Sequence, residues 1–230
     1  MVKTVQNLLK YNILKAGKNS FTYPGIWLML NMNNIFISFV LSFALLGVAE
    51  ANHISGKIEV EGGKSLKNLI VYLETEGLST PKLEPMVHKV LQKGRRYNPD
   101  LIVVSPGDKI QFLNDEDREI DHNIYSLSKF KNFDLGLGER GSVLEVTIDK
   151  VGSGNFYCSV HRSMEGRVVS INTRYFAILE KPGNFILPNI PPGNWVVKVI
   201  VFHKRYKSIP ITISLDDSAH EEIELKVVKK

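Results

Sequence analysis

The stretch NFYCSVHRSMEGRVVS, Asn155 to Ser170, contains Cys158, the only cysteine among the 230 residues of the chain. His161 stands three positions after it, and Met164 stands three positions after His161. The flanking segments are rich in apolar and β-branched residues, so we predict that they form two strands joined by a loop that carries all three side chains. A thiolate, an imidazole and a thioether are together a ligand set that suits copper.

A second histidine is needed to complete a copper site of the trigonal electron-transfer type, which uses two histidines, one cysteine and a weak axial methionine. The segment DHNIYS supplies His122, 36 residues before Cys158, at a position that we predict to be a strand end. We therefore predict that His122, Cys158, His161 and Met164 bind one copper ion.

The same loop has two other interpretations, a buried free thiol and a nucleophilic dyad. Cysteine is among the most buried residue types, so Cys158 could be a buried free thiol beside a surface histidine. Cys158 and His161 could instead form a nucleophilic dyad, but a histidine three residues along a loop is poorly positioned to deprotonate its neighbour. The complete set of four residues in this order favours the metal site.

The remaining polar motifs are predicted to have no role in metal binding. His53, His88, His203 and His220 lack partners at metal-ligand spacing and are expected to be surface or strand residues. The acidic segment NDEDREID, residues 114–121, lacks the glycine and terminal glutamate of a calcium loop, so a solvated loop near the copper site is expected.

The N-terminal part of the chain has the pattern of a secretory signal. An apolar run extends from Ile35 to Val48 and ends in Ala49-Glu50-Ala51, which predicts cleavage after Ala51 and a periplasmic or secreted protein. The basic residues lie well upstream, so either the signal region is long or the true start is Met32. A retained anchor over residues 26–48 is the alternative, and only in that case is a membrane a partner.

Charge argues against a nucleic-acid partner. The chain has 29 basic and 24 acidic residues, a net charge of +5, and the first 51 residues account for +3 of it. The rest is weakly and diffusely charged, whereas nucleic-acid binding requires a concentrated basic surface.

After residue 52 the sequence predicts an all-β protein of two parts, because short strand-like runs alternate with turns rich in glycine, proline and aspartate. Residues 84–172 form one module that contains the predicted copper ligands. Residues 52–80 and 173–230 are predicted to form a second, smaller β-sandwich into which that module is inserted. Residues 1–51 are predicted to be the signal segment.

The motifs SPGDKIQFLN, DHNIYS and FYCSVHRSMEGRVV resemble the cupredoxins, most closely the amicyanin-like and plastocyanin-like members. The chain is similar in particular to bacterial methylamine-utilisation-type cupredoxins, which also carry elements such as FDLG and YFA. The resemblance implies a Greek-key cupredoxin sandwich over residues 84–172 and a type 1 copper ion bound by His122, Cys158, His161 and Met164. The hairpin GNFILPNIPPGNWVVKV resembles those of transthyretin-like and carboxypeptidase-regulatory-like sandwiches, so it is assigned no chemistry.

The resemblance also implies roles for two neighbours of the ligands. Asn123 is expected to tie the ligand loops together, and Tyr157 is expected to offer a second electron route beside the exposed edge of His161. The function expected is one-electron transfer between a redox donor and acceptor, without enzymatic activity. The alternatives are a protein that holds or delivers copper without shuttling electrons, and a cell-envelope binding module.

Overall fold

The computed structural model describes residues 52–75, 83–217 and 220–230, which lie within one compact unit, Gly47–Lys230. The predicted signal segment, the alternative start at Met32 and the alternative anchor lie outside the described residues. Within the described part of the chain, no helix has the length and apolar character needed to cross a membrane. This part consists of seventeen strands and one short 3-10 turn, Glu61–Gly63, which confirms the predicted all-β class.

The first two strands are β1 (His53–Val60) and β2 (Leu69–Thr75). The next nine are β3 (Val87–Lys93), β4 (Arg96–Asn98), β5 (Leu101–Val104), β6 (Lys109–Asn114), β7 (His122–Leu127), β8 (Asn132–Gly138), β9 (Val143–Thr147), β10 (Gly152–Tyr157) and β11 (Glu165–Ser170). The last six are β12 (Phe176–Leu179), β13 (Asn184–Pro188), β14 (Gly193–Ile200), β15 (Tyr206–Ser208), β16 (Ile211–Leu215) and β17 (His220–Lys229).

Strands β3 to β11 form a two-sheet sandwich, called here the central sandwich. One sheet has the order β5-β11-β10-β7-β8 and the other has the order β4-β3-β6-β9. Strand β6 shows why the sheets pack, because Ile110 and Phe112 point inward while Lys109 and Gln111 alternate with them on the outer face. Phe112 meets Phe156 of the opposite sheet edge to face at 5.2 Å between ring centroids.

Strands β1, β2 and β12 to β17 form a second sandwich, called here the flanking sandwich. Its sheets have the orders β13-β1-β17-β15 and β12-β2-β14-β16, so residues on both sides of the central sandwich in sequence pair with each other. Trp195 is 7% exposed in the core of this sandwich, as its apolar surroundings in the sequence predict. The likeness of this part to transthyretin-like sandwiches and the domain boundaries remain predictions.

Strand β5 is buried on both faces, which explains its uninterrupted apolar sequence LIVV. Ile102 and Val104 point into the core of the central sandwich. Leu101 and Val103 point the other way and pack, with residues of β11, against Ile70 of the flanking sandwich. The two sandwiches therefore share an apolar interface.

Asp108 joins the two chain segments that lead into and out of the central sandwich. Its carboxylate is fully buried and accepts hydrogen bonds from the backbone N–H of Met86 at 2.8 Å and of Ser105 at 2.7 Å. His88 Nε2 lies 2.8 Å from the same carboxylate, and Arg174 Nη2 donates to it at 2.7 Å. Arg174 also donates to the carbonyl oxygen of Glu84, so the incoming and outgoing segments are held together.

Burial by itself would raise the pKa of Asp108, but the hydrogen bonds from Arg174, Ser105, Met86 and His88 outweigh it and hold the pKa well below its usual range. A carboxyl group with a lowered pKa in the folded state stabilises the fold above the unfolded-state pKa. That stabilisation is lost as the pH falls from there toward the folded-state pKa.

We expect Asp108→Asn to lower the free energy of unfolding at pH 7 by about 3 kcal/mol, because it leaves the Arg174 guanidinium without its ionic partner. The difference between the two proteins should shrink as the pH falls below the ordinary aspartate pKa of about 3.9. Urea unfolding at pH 7 and in acid measures both effects. Asp149→Asn is the matched control, because that aspartate pairs with Lys131 with 64% of its side chain exposed, and no measurable change is expected. Equal stability of the wild type and Asp108→Asn would contradict this role.

Candidate metal centre

Three of the predicted ligands converge at one end of the central sandwich. His122 begins β7, Cys158 directly follows β10, and His161 lies in the loop between β10 and β11. One donor atom from each of the three lies within 4.8 Å of the other two. Cys158 Sγ is 3.8 Å from His122 Nδ1 and 3.9 Å from His161 Nδ1.

The two sulfur–nitrogen separations match those of a trigonal site. A metal ion bound at about 2.1 Å from each nitrogen and about 2.3 Å from the sulfur has donor atoms roughly 3.8 Å apart when the three surround it in a plane. The set of donors, with one thiolate and two imidazoles, is the one that suits a copper electron-transfer centre. The identity of the three donors and the two sulfur–nitrogen distances therefore fit a copper ion.

The three donors differ in their access to solvent. His122 is completely buried and Cys158 is 3% exposed, while His161 is half-buried. The pKa of His161 is lowered, first because its burial disfavours the charged ring and then because a protonated His122 and the Arg95 guanidinium would repel a second positive charge. A lowered pKa keeps the ring neutral and its nitrogen available as a ligand down to a lower pH.

Met164 closes the loop that carries Cys158 and His161. Its backbone N–H donates to the carbonyl oxygen of His161 at 3.0 Å, and its own carbonyl oxygen accepts from the backbone N–H of Cys158 at 3.2 Å. The side chain is 1% exposed and packs in the same core cluster as Cys158. That Met164 binds the metal as an axial ligand remains a prediction.

Gly166 gives the core room beside this loop. A Cβ atom at this position would lie 2.2 Å from the ring of Phe156. Only glycine therefore allows β11 to pass this ring, which lies two residues before Cys158 in the sequence.

Asn123 links the strand of the first histidine to the cysteine loop. Its side-chain oxygen accepts from the backbone N–H of Ser159 at 3.3 Å, and its side-chain nitrogen donates to Asp134 at 2.7 Å and to the carbonyl oxygen of Gly136 at 3.2 Å. Three separate segments are thus connected through one side chain directly after His122.

Glu116 lies at the candidate centre, in contact with His122, and the sequence interpretation missed it. The segment around it was expected to be a solvated loop, and its neighbours Asp115 and Asp117 are exposed, but Glu116 itself is only 8% exposed. Its carboxylate lies 2.9 Å from His122 Nε2 and also accepts from the backbone N–H groups of Gly94 at 3.0 Å and Arg95 at 2.9 Å. The backbone of the β3–β4 turn therefore holds the carboxylate in place against the histidine.

This contact determines which nitrogen of His122 can bind a metal. Burial alone would raise the pKa of Glu116, but the hydrogen bonds from Arg95, His122 and Gly94 lower it, so the group is an ionised acceptor. Nε2 of His122 must then carry the hydrogen, which leaves the lone pair on Nδ1, the atom that faces Cys158.

Tyr157 lies on the opposite side of the strand from its neighbour Cys158 and is half-buried. Its ring is 5.8 Å from that of Tyr125, centroid to centroid, across the pairing of β10 with β7. Asn155 donates to its hydroxyl at 3.2 Å. The pair of tyrosines forms a short aromatic connection from the strand of the cysteine to the surface.

The other histidines lie elsewhere. Among the described residues, the three-donor group contains only His122, Cys158 and His161. His88 bonds Asp108, while His203 contacts the ring of Tyr206 and His53 contacts His220.

No family model matches the chain, and no curated protein is similar to it in sequence. Solved structures that resemble it include a copper-containing nitrite reductase from Thermus scotoductus SA-01, with a TM-score of 0.36 and 19% identity over 43% of this chain. A purple cupredoxin from Nitrosopumilus maritimus has a TM-score of 0.33 and 21% identity over 36% of this chain and 99% of its own. Amicyanin from Paracoccus versutus has a TM-score of 0.33 and 12% identity over 44% of this chain and 98% of its own. The match covers only 25% of the nitrite reductase chain.

We expect Glu116→Gln to weaken metal binding by about 10- to 100-fold, the usual cost of losing a group that orients a ligating histidine. The amide no longer supplies a charged acceptor for His122 Nε2, so both ring tautomers become accessible. Competition with a chelator of known affinity, using Cu(II) or Zn(II), measures the change. Glu119→Gln is the control, since its side chain is 82% exposed and pairs with Arg140. An unchanged affinity in Glu116→Gln would contradict the orienting role.

Proposed function

We propose that the protein is an exported type 1 copper protein that carries single electrons between redox partners, with one copper ion per chain. The observation that carries this proposal is the convergence of three donor atoms within 4.8 Å of one another, with Cys158 Sγ at 3.8 and 3.9 Å from the two histidine nitrogens. Met164 is proposed as the axial ligand. Periplasmic or secreted localisation and the redox partners, whose identity is unknown, belong to the same proposal.

Copper would supply the redox chemistry, because it changes between the +1 and +2 states while bound to the same donors. The protein contributes a site whose geometry is set before the ion binds. The hydrogen bonds of Glu116 and Asn123 orient His122 and the cysteine loop, so the side chains have little freedom to rearrange when the charge changes.

The half-buried ring of His161 is the proposed contact for a redox partner, since the other two donors are buried. Tyr157 and Tyr125 form the proposed second route, because Tyr157 is bonded in sequence to Cys158 and reaches the surface on another side. A nucleophilic role for Cys158 is not supported, because a thiol that is 3% exposed leaves no room for a substrate.

A copper-handling protein is the second candidate. The partial exposure of His161 favours it, because release of one accessible ligand would open the site to an acceptor without unfolding the core. The two candidates differ in how firmly copper is kept during redox cycling.

We expect the protein to develop an intense visible absorption band on addition of one equivalent of Cu(II), from charge transfer between the Cys158 thiolate and the metal. Absorption and electron paramagnetic resonance spectra recorded together identify the site. Cys158→Ser should abolish the band, whereas Ser159→Ala, an exposed neighbour, should retain it. A colourless protein that binds no copper would remove the basis of both candidates.

For an electron carrier, we expect copper to stay bound through repeated reduction and re-oxidation in the presence of a soluble Cu(I) chelator, because the preset donors change little between the two states. The measurement is the copper content and band intensity after several cycles. His161→Ala should lose copper faster, since it opens the exposed side of the site. Rapid loss of Cu(I) from the wild type would favour the copper-handling candidate.

A further inference from the structure

A pair of histidines lies on the outer face of the flanking sandwich, separate from the candidate copper centre. Strands β1 and β17 run parallel, and their register pairs His53 with His220. The ring centroids are 4.1 Å apart, with an angle of 36° between the ring planes. Both side chains are accessible, since His53 is half-buried and His220 is exposed.

We propose that His53 and His220 form a second metal site, which binds one borderline divalent ion such as Zn(II) or Cu(II). The proposal goes beyond electron transfer, because this site is on the other sandwich and contains no thiolate. It is supported by the imidazole chemistry, since neutral histidine is the commonest metal ligand and suits zinc, copper and nickel.

The spacing of the rings fits one shared ion. An ion at about 2.1 Å from each of two imidazole nitrogens needs those nitrogens roughly 3 to 4 Å apart. The ring centroids are 4.1 Å apart, and rotation about the side-chain bonds brings the two nitrogens to this nitrogen–nitrogen distance. Both rings are free to rotate because both are accessible. The parallel register keeps the two backbones fixed during this rotation.

The surroundings of the pair are acidic rather than basic. Glu222 lies two residues after His220 on the same exposed face and is paired with Ser55, the outer-face residue that follows His53 on β1. On the other side of β1, the residue paired with His53 is the uncharged Pro188. The nearest lysine of the same face, Lys57, is two pairs farther along and is bound to Glu59 at 2.8 Å.

Two nitrogens alone leave coordination positions open, which water would fill. Among the described residues this pair is not part of any three-donor group, so the ion should be bound less tightly than at the candidate copper centre and should exchange with solvent. The site is therefore one for an exchangeable surface ion.

The test is a titration with Zn(II) of the full chain without a polyhistidine tag, after one equivalent of Cu(II) has filled the candidate copper centre. We expect isothermal titration calorimetry to show one further equivalent of bound Zn(II), with the visible band unchanged. His53→Asn and His220→Asn should each weaken this binding by more than about 10-fold. Loss of a group that only orients a ligand already costs about that much, and each substitution removes a ligand itself. His203→Asn is the matched control, because this half-buried histidine of the same sandwich contacts Tyr206 rather than another histidine.

The site proposal would be overturned if wild-type protein bound no further Zn(II), or bound it equally well after either substitution. Thermal unfolding of each variant checks that the sandwich is intact. If the wild type shows no copper band, Cys158→Ser is titrated with Zn(II) in the same way and should still bind one equivalent. The double variant Cys158→Ser, His220→Asn should lose that equivalent. Failure of the copper proposal and failure of this one are therefore separate results.

Discussion

The fixed distance between donor atoms from different strands is the constraint on which the candidate centre depends. His122 comes from the beginning of β7, and Cys158 and His161 come from the end of β10 and its following loop. Hydrogen bonds from the backbone of Cys158 to Met164 and from Ser159 to Asn123 hold these segments together within the protein itself. The loss of conformational entropy on ordering the loop therefore occurs during folding and not on metal binding. An ion that prefers this geometry binds more tightly for that reason.

The buried carboxylate of Glu116 also fixes the donor atoms, because it orients one of the ligating side chains. It is positioned by backbone N–H groups of the β3–β4 turn, and in turn it positions His122. The two sheets of the central sandwich thus meet at the candidate centre through a carboxylate and an imidazole as well as through their apolar core. Such groups determine ring orientation and tautomer, which influence both metal affinity and redox properties.

The flanking sandwich is attached to the central sandwich by an apolar interface and by a buried carboxylate. Strand β5 contributes alternate residues to the central core and to the shared interface, and Asp108 joins the segments that lead into and out of the central sandwich. A buried carboxylate with several hydrogen-bond donors is costly to disrupt, so the junction resists opening. The surface of His53 and His220 belongs to a sandwich that is joined to the central sandwich by both of these contacts.

The sequence by itself determined the all-β class and singled out the residues that converge, because period-two hydrophobicity and the spacing of cysteine, histidine and methionine are local properties of the chain. It also identified Trp195 as a core residue from its apolar neighbours. Only the tertiary structure decided the roles of Glu116 and Asp108, and it corrected the expectation that the acidic segment is solvated throughout. Glu116 and Asp115 are adjacent and chemically alike, and no local pattern distinguishes the carboxylate that meets a histidine from another strand. The pairing of His53 with His220 likewise depends on a parallel register between residues 167 positions apart, which only the folded arrangement of the strands creates.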